Sequence, residues 1–230
     1  MSTILITGAA SGLGKALVNS LGIDGHDIIV YDKRIHRPYD VANPSWQDIE
    51  SFFGASGLDV LINCAGVNRI NWLADVTDAD WDQVMDVNAK GIFKMSQVCL
   101  PYLKKSQGTI LNIVSNAAHM PMRCSLAYNA SKGAALIMTK QLARELSADK
   151  ITVFSVSPNK LKGTGMSDDI DEQVMKTRGW TREQAQAYQL AGLLTGEETP
   201  VEQLADFIAY LLTTKERHKY LTGCDIPYGA

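Results

Sequence analysis

An apolar run, Thr3-Ile4-Leu5-Ile6-Thr7, passes directly into Gly8-Ala9-Ala10-Ser11-Gly12-Leu13-Gly14, and a helical pattern begins at once. Few folds accept such a junction. Glycines are required where the backbone turns tightly and lets a ligand approach it closely. The helix that follows offers free N–H groups and the positive end of its dipole, which suits a pyrophosphate. The junction therefore predicts a strand, a phosphate-binding loop and a helix in which Gly8, Ser11, Gly12, Leu13 and Gly14 meet a dinucleotide. Its spacing is G-x-x-x-G-x-G, not the commoner G-x-G-x-x-G.

The rest of the 230-residue chain continues this rhythm. Apolar runs at Asp27–Tyr31, Leu58–Asn63, Thr109–Val114 and Ile151–Val156 read as buried strands, with shorter ones at Pro38–Asp40 and Cys224–Pro227. Helical spacing appears over Gly12–Leu21, Trp46–Phe53, Trp81–Leu103, Leu126–Leu146 and Val201–Leu212. Alternation of this kind implies right-handed βαβ units. The expected fold is α/β, a single-domain doubly wound parallel sheet over residues 1–230. About seven strands are expected, in the order 3-2-1-4-5-6-7, with helices on both faces. The exception is Leu161–Pro200. It is polar, carries short helical patterns at Ser167–Lys176 and Thr181–Leu190, and is edged by glycines, as an active-site lid would be.

Charge narrows the function. A net charge of −3 supplies no basic field for nucleic acid or an anionic membrane. No apolar run approaches the ~18–20 residues of a membrane span, and the opening residues lack the features of a signal peptide. Cys64, Cys99, Cys124 and Cys224 are scattered without a CxxC pair, so neither a metal site nor a disulfide framework is expected. A reducing cytoplasm fits.

Asp32 closes the second strand 18 positions beyond Gly14. An acid there can accept hydrogen bonds from ribose hydroxyls and repels a 2′-phosphate, which favours NAD over NADP. Arg34 is the dissenting residue, since it reaches a phosphate if Asp32 turns away.

Tyr128-Asn129-Ala130-Ser131-Lys132 opens a long helical pattern. Residues at i and i+4 share a face. A phenol titrating near 10 is a poor base at neutral pH, and a close ammonium lowers such a value by roughly 1–3 pH units. The pair suits proton transfer to or from an oxygen.

Together these residues resemble the short-chain dehydrogenase/reductase family over the whole chain. Thr7–Gly14 is similar to its T-G-x-x-x-G-x-G and Tyr128/Lys132 to its Y-x-x-x-K. Asn63-Cys64-Ala65-Gly66 resembles its N-N-A-G, with Cys64 replacing the second asparagine. The resemblance implies hydride transfer between NAD(H) and a secondary alcohol or ketone. Tyr128 is then the acid–base group, Lys132 its partner and the ribose-binding residue, and Ser115 the donor to the substrate oxygen. Asn88 holds a water in a relay towards Lys132. Asp40, Val41, Asn63, Ala65, Gly66, Pro158 and Thr164 join the glycine loop and Asp32 as cofactor residues. His119, Met120, Pro121, Met122, Met166 and Trp180 fall on loops that line a substrate site. The helix from Trp81, with Val201–Leu212 and the last strand, implies a homodimer or homotetramer.

Two departures stand out. The family's Pro-Gly is Pro158-Asn159 here; if that turn needs φ > 0, asparagine is the least costly replacement. The stretch from Asp32 to Asp40 is too short for a helix. Rival readings are a non-catalytic NAD-binding regulator on the same fold, an NADP-preferring carbonyl reductase and a Rossmann-like transferase. Fold alone does not separate them; the site must.

Overall fold

The computed structural model describes residues 1–36, 39–213 and 215–229. Five parallel strands run through the first two-thirds of the chain: β1 (Thr3–Thr7), β2 (Asp27–Tyr31), β3 (Val60–Asn63), β4 (Thr109–Ile113) and β5 (Thr152–Pro158). A small pair, β6 (Leu161–Lys162) and β7 (Thr199–Pro200), precedes the last strand, β8 (Asp225–Tyr228). The main sheet has the order β2-β1-β3-β4-β5-β8, parallel throughout. Order reverses beside β1, which opens a crevice at the carboxyl ends of β1 and β3.

Alternate side chains of each strand enter opposite layers. Ile4, Ile6, Ile62, Leu111, Phe154 and Val156 pack on Leu17 and Leu21 of α1 (Gly12–Ile23) and on Leu204 and Ile208 of α8 (Val201–Leu212). On the other face, Leu5, Leu61, Ile110 and Val153 meet α2 (Trp46–Phe53), α4 (Gly91–Ser106) and α5 (Leu126–Leu146). The doubly wound α/β class is as expected. No helix among the described residues is long and apolar enough to cross a membrane.

Three expectations change. The sheet has six strands rather than about seven, because the strand expected at 38–40 does not form where it is described. Residue 38 lies outside the described residues. Tyr39 N–H donates to the His36 carbonyl at 2.9 Å and its ring stacks on Tyr31 at 4.8 Å. Asp40 turns its carboxylate onto the Ala42 amide at 3.0 Å. Backbone groups that a ladder would use are spent on a turn.

The single helix expected over Trp81–Leu103 is divided into α3 (Asp78–Met85), a π turn (Asp86–Lys90) and α4. Apolar spacing does not reveal such a turn, since it offsets the pattern by only one residue. Asn159, finally, is not at positive φ; among described non-glycine residues that conformation belongs to Gln107, Cys124 and Lys150. The Asn159 backbone N–H donates to Tyr228 O at 3.0 Å and Nδ2 to Gly229 O at 3.2 Å. Here asparagine ties the exit of β5 to the end of β8.

The segment 161–200 folds as α6 (Gly165–Arg178) and α7 (Arg182–Leu190) between β6 and β7. It closes on Lys160, whose ammonium lies 2.5 Å from Asp171 and 2.9 Å from Glu198. Asp171 also accepts from Gln189. A buried ammonium between two carboxylates thus joins both ends of the segment and both of its helices.

Candidate active site

The glycine loop is shaped by what it must touch. Gly8 sits at φ +69°, and a Cβ there would lie 2.7 Å from the Ala65 Cα. At Gly14 an added Cβ would meet the Gly8 carbonyl oxygen at 2.3 Å. Thr7 Oγ1 accepts from the amides of Cys64 and Ala65 at 3.0 and 3.1 Å, which draws the end of β3 against the loop. Ser11 makes no side-chain cap at the start of α1, so that helix end remains available to an anion. Thr164, at the start of α6, places its methyl 3.7 Å from where a Gly12 Cβ would stand. The donor set and the closely approached backbone fit a dinucleotide pyrophosphate.

Asp32 ends β2 and is 4% exposed. It accepts from the Ala10 amide at 2.9 Å and from Arg34 through N (2.8 Å), Nε (3.2 Å) and Nη2 (3.0 Å). Burial alone would raise this carboxyl. The hydrogen bonds from Arg34 and Ala10, with the guanidinium charge, outweigh it and hold the group below the usual aspartate value. Asp32 has not turned away from Arg34; the two are clamped together.

Of the remaining residues expected to meet the cofactor, Asp40 is engaged in its turn. Val41, Asn63 and Ala65 line a narrow slot with Thr7, Val87, Gly91 and Ile92. The Asn63 side chain donates to Asn112 Oδ1 at 2.9 Å, and Asn112 donates to Thr139 at 2.9 Å. That buried ladder braces β3, β4 and α5. Pro158 ends β5 in the core.

The residues expected to transfer the proton do converge. Leu126–Leu146 forms the single helix α5, so Tyr128 and Lys132 stand one turn apart on one face. The Ser115 hydroxyl stands close enough to the Tyr128 phenol to favour its phenolate. Ser115 caps a short 3-10 turn, accepting from the Ala117 amide at 3.1 Å. Ser125, nearer in sequence, is buried with an unpartnered hydroxyl. Lys132 Nζ donates to the Ile113 carbonyl at 2.9 Å and lies 5.8 Å from the Tyr128 ring centroid. Asn88 is fully buried in the π turn. Its amide accepts from Val67 N–H at 2.9 Å and donates to Val67 O at 2.9 Å and Ser131 Oγ at 3.0 Å. The Asn88 oxygen, Lys132 Nζ and Met166 Cε all lie within 4 Å of the point where a Gly66 Cβ would stand. Gly66 is the floor of the site.

The electrostatics differ from the sequence expectation. Burial pushes the Tyr128 phenol up, and the Ser115 hydroxyl offsets only part of that. Burial pushes Lys132 down to about 8, against a smaller opposing effect of Cys64. A desolvated ammonium held by a carbonyl does not by itself make the phenol a base at neutral pH.

Of the substrate-loop residues, Met120 and Met122 are exposed. Trp180 packs with Ile70, Cys124 and Val174 beneath α6 and α7. His119 is paired with Asp225. Sequence reasoning missed Ser131, which accepts from Asn88 and donates to the Tyr128 carbonyl at 2.8 Å. Its place inside the Tyr128–Lys132 spacing was the available signal. It also missed Cys124 at φ +64°, for which no local pattern exists.

Comparisons with known proteins agree with this geometry. The short chain dehydrogenase family matches residues 40–175, more than half of the chain. A 3-oxoacyl-acyl-carrier-protein reductase FabG of Thermotoga maritima is 30% identical, over 95% of this chain and 92% of the relative. Sorbitol-6-phosphate 2-dehydrogenase of Klebsiella pneumoniae is 29% identical, over 96% and 92%. A crystal structure of an actinorhodin polyketide ketoreductase variant with NADPH superposes with TM-score 0.85 at 25% identity, over 98% of this chain and 95% of that one. The chain belongs to the short-chain dehydrogenase/reductase family and is a nicotinamide-dependent oxidoreductase acting on CH–OH or C=O groups.

Proposed function

We propose that the chain interconverts a secondary alcohol and its ketone with NAD(H), and that Tyr128 moves the proton. The observation carrying this reading is the convergence of Tyr128 and Lys132 on one face of α5, with Lys132 Nζ 5.8 Å from the Tyr128 ring and Ser115 beside the phenol. A bound nicotinamide supplies the hydride donor or acceptor and, when oxidised, a positive charge. Ser115 holds the substrate oxygen and Tyr128 gives it a proton in reduction or accepts one in oxidation. Lys132 would hold the nicotinamide ribose. Asn88 is a positioning residue: its amide groups are engaged, so it sets Gly66–Val67 and Ser131 about the reacting atoms instead of carrying the proton. A phenol kept protonated by burial favours the reductive direction. The segment 161–200 serves as a lid, bound to the loop below through Gln173, Thr177 and Trp72.

Asp32 supports NAD. A second reading, acceptance of NADP, is favoured by the Arg34 clamp, because the guanidinium neutralises the acid that would repel a 2′-phosphate. The test is a panel of ketones and alcohols followed by nicotinamide absorbance. Tyr128→Phe should lower turnover about 10²–10⁴-fold and leave NADH binding nearly intact. Wild-type reduction should decline as pH rises through about 8, where Lys132 loses its charge. Retained activity in Tyr128→Phe removes the residue from its role.

A further inference from the structure

The loop after β4 carries Ser115 and runs through residues 116–125 to Tyr128. Its position therefore sets the distance between the two hydroxyls on which the proposed reaction depends. Two side chains outside that reaction hold it. Asn129, the neighbour of Tyr128 on α5, donates through Nδ2 to the carbonyls of Ala117 at 2.6 Å and Met120 at 2.8 Å. From the opposite side, His119 Nε2 meets Asp225 Oδ2 at 2.8 Å. Asp225 begins β8, which lies beyond β5 from β4. The contact spans one whole strand.

The groups beneath this span are polar, and continue across β5 the buried polar row begun by Asn63 and Asn112. Val153 of β5 packs in the core, but Ser155 and Ser157, on the same face two and four residues on, are fully buried hydroxyls. Ser155 donates to Asp225 Oδ1 at 2.5 Å, and Ser157 lies 2.9 Å from both carboxylate oxygens. The Asp225 side chain is 8% exposed, against 38% for His119. A carboxylate that buried is unfavourable unless donors surround it. Here two serines fix its orientation, and the imidazole completes the set. The partners of Asp225 are thus arranged so that one rigid acceptor faces the loop.

We propose that His119 and Asp225 form a positioning pair that pins the Ser115 loop across β5 and holds Ser115 in register with Tyr128. This rests on the acid–base reading of Tyr128 and adds a pair that acts through Ser115. The pin acts on the reacting geometry, where a displacement of about 1 Å costs up to roughly 10²-fold in rate. It leaves the glycine loop, on the other side of β3, unaffected.

The test uses the full-length chain with His119→Ala, Asp225→Ala, the double variant, and the conservative His119→Gln and Asp225→Asn. Each alanine variant should lower kcat about ten-fold while KM for NADH stays within about two-fold. The double variant should be no slower than the worse single one, because both remove one contact. His119→Gln, which retains an N–H donor, should recover most of kcat; Asp225→Asn keeps an acceptor should the alanine variant fold poorly. Amide hydrogen exchange should quicken at residues 115–120 and not in β1 or β3. Unchanged kcat in the single variants, losses that multiply in the double, or KM for NADH rising in step with the loss of kcat overturns the pin. Unchanged exchange at 115–120 overturns it as well, whether or not a substrate has been found. A wild-type chain that turns over nothing counts instead against the function reading, and exchange still decides the pin.

Discussion

The glycine loop and the segment 161–200 enclose the same site from opposite sides, yet they are held by different means. The loop is fixed mostly by main chain, with positive φ at Gly8 and a Cα 2.7 Å from any Cβ placed there; the one side-chain atom, Thr7 Oγ1, acts by gathering backbone amides. The segment is fixed by side chains. Lys160 bridges Asp171 and Glu198, Gln173 Oε1 accepts from the Ile70 amide at 2.9 Å, and Thr177 Oγ1 donates to the Ile70 carbonyl at 3.1 Å. Arg178 lies between the rings of Trp180 and Tyr188 at 4.7 and 4.3 Å. A region built from backbone has few ways to change and none of them gradual. One built from side-chain contacts can loosen locally while the sheet beneath stays intact.

The largest expected effect lies on the backbone side. Gly8→Val should cost about 2–5 kcal/mol, from the left-handed conformation and the overlap with Ala65 together, and should abolish NADH binding in a fluorescence titration. A Gly8→Val chain that melts normally and binds NADH breaks the comparison. Next comes Lys160→Met, which strands two carboxylates. Roughly 2–4 kcal/mol of local stability should be lost, toward the low side for a buried pair because Glu198 is 22% exposed. Limited proteolysis within 165–190 should accelerate while the NADH dissociation constant moves less than about three-fold. Unfolding of the whole chain, instead of this segment alone, would show that the two regions are not separable. Smallest is Arg34→Ala, in which Asp32 loses its neutralising partner. NADPH should bind about ten-fold more weakly and NADH within about two-fold, by titration of both cofactors. Equal losses for both would place Arg34 outside cofactor choice.

The same division explains what the sequence made legible. Glycines, strand–helix alternation and the Tyr128/Lys132 spacing are local patterns, and they located the sheet, the crevice and the shared face of Tyr128 and Lys132 on α5. Features made by long-range side-chain contact left no such trace. Nothing near Lys160 announces that residues 171, 189 and 198 will gather around it. Nothing near His119 points to a partner 106 positions away. At 39–40 no strand forms for a related reason: Tyr39 is β-prone, but its ring is captured by Tyr31 and Phe52. The upward push on the Tyr128 phenol had no trace in the sequence, because burial is a property of the folded whole.

One feature of the long α3–α4 region reaches beyond catalysis. A π turn amounts to a single residue slipped into an α-helix, and each residue advances the helix by about 100°. The stretches on either side of Asp86–Lys90 are therefore out of phase with each other. Val84 before it and Ile92 and Met95 after it all reach the interior, so the offset is taken up within the turn itself. Exchanging one letter for another within residues 86–90 preserves the phase. Deleting a letter rotates everything on one side relative to the other by about 100°. Apart from the buried Asn88 and Ala89, this stretch should be far more tolerant of spelling than of length.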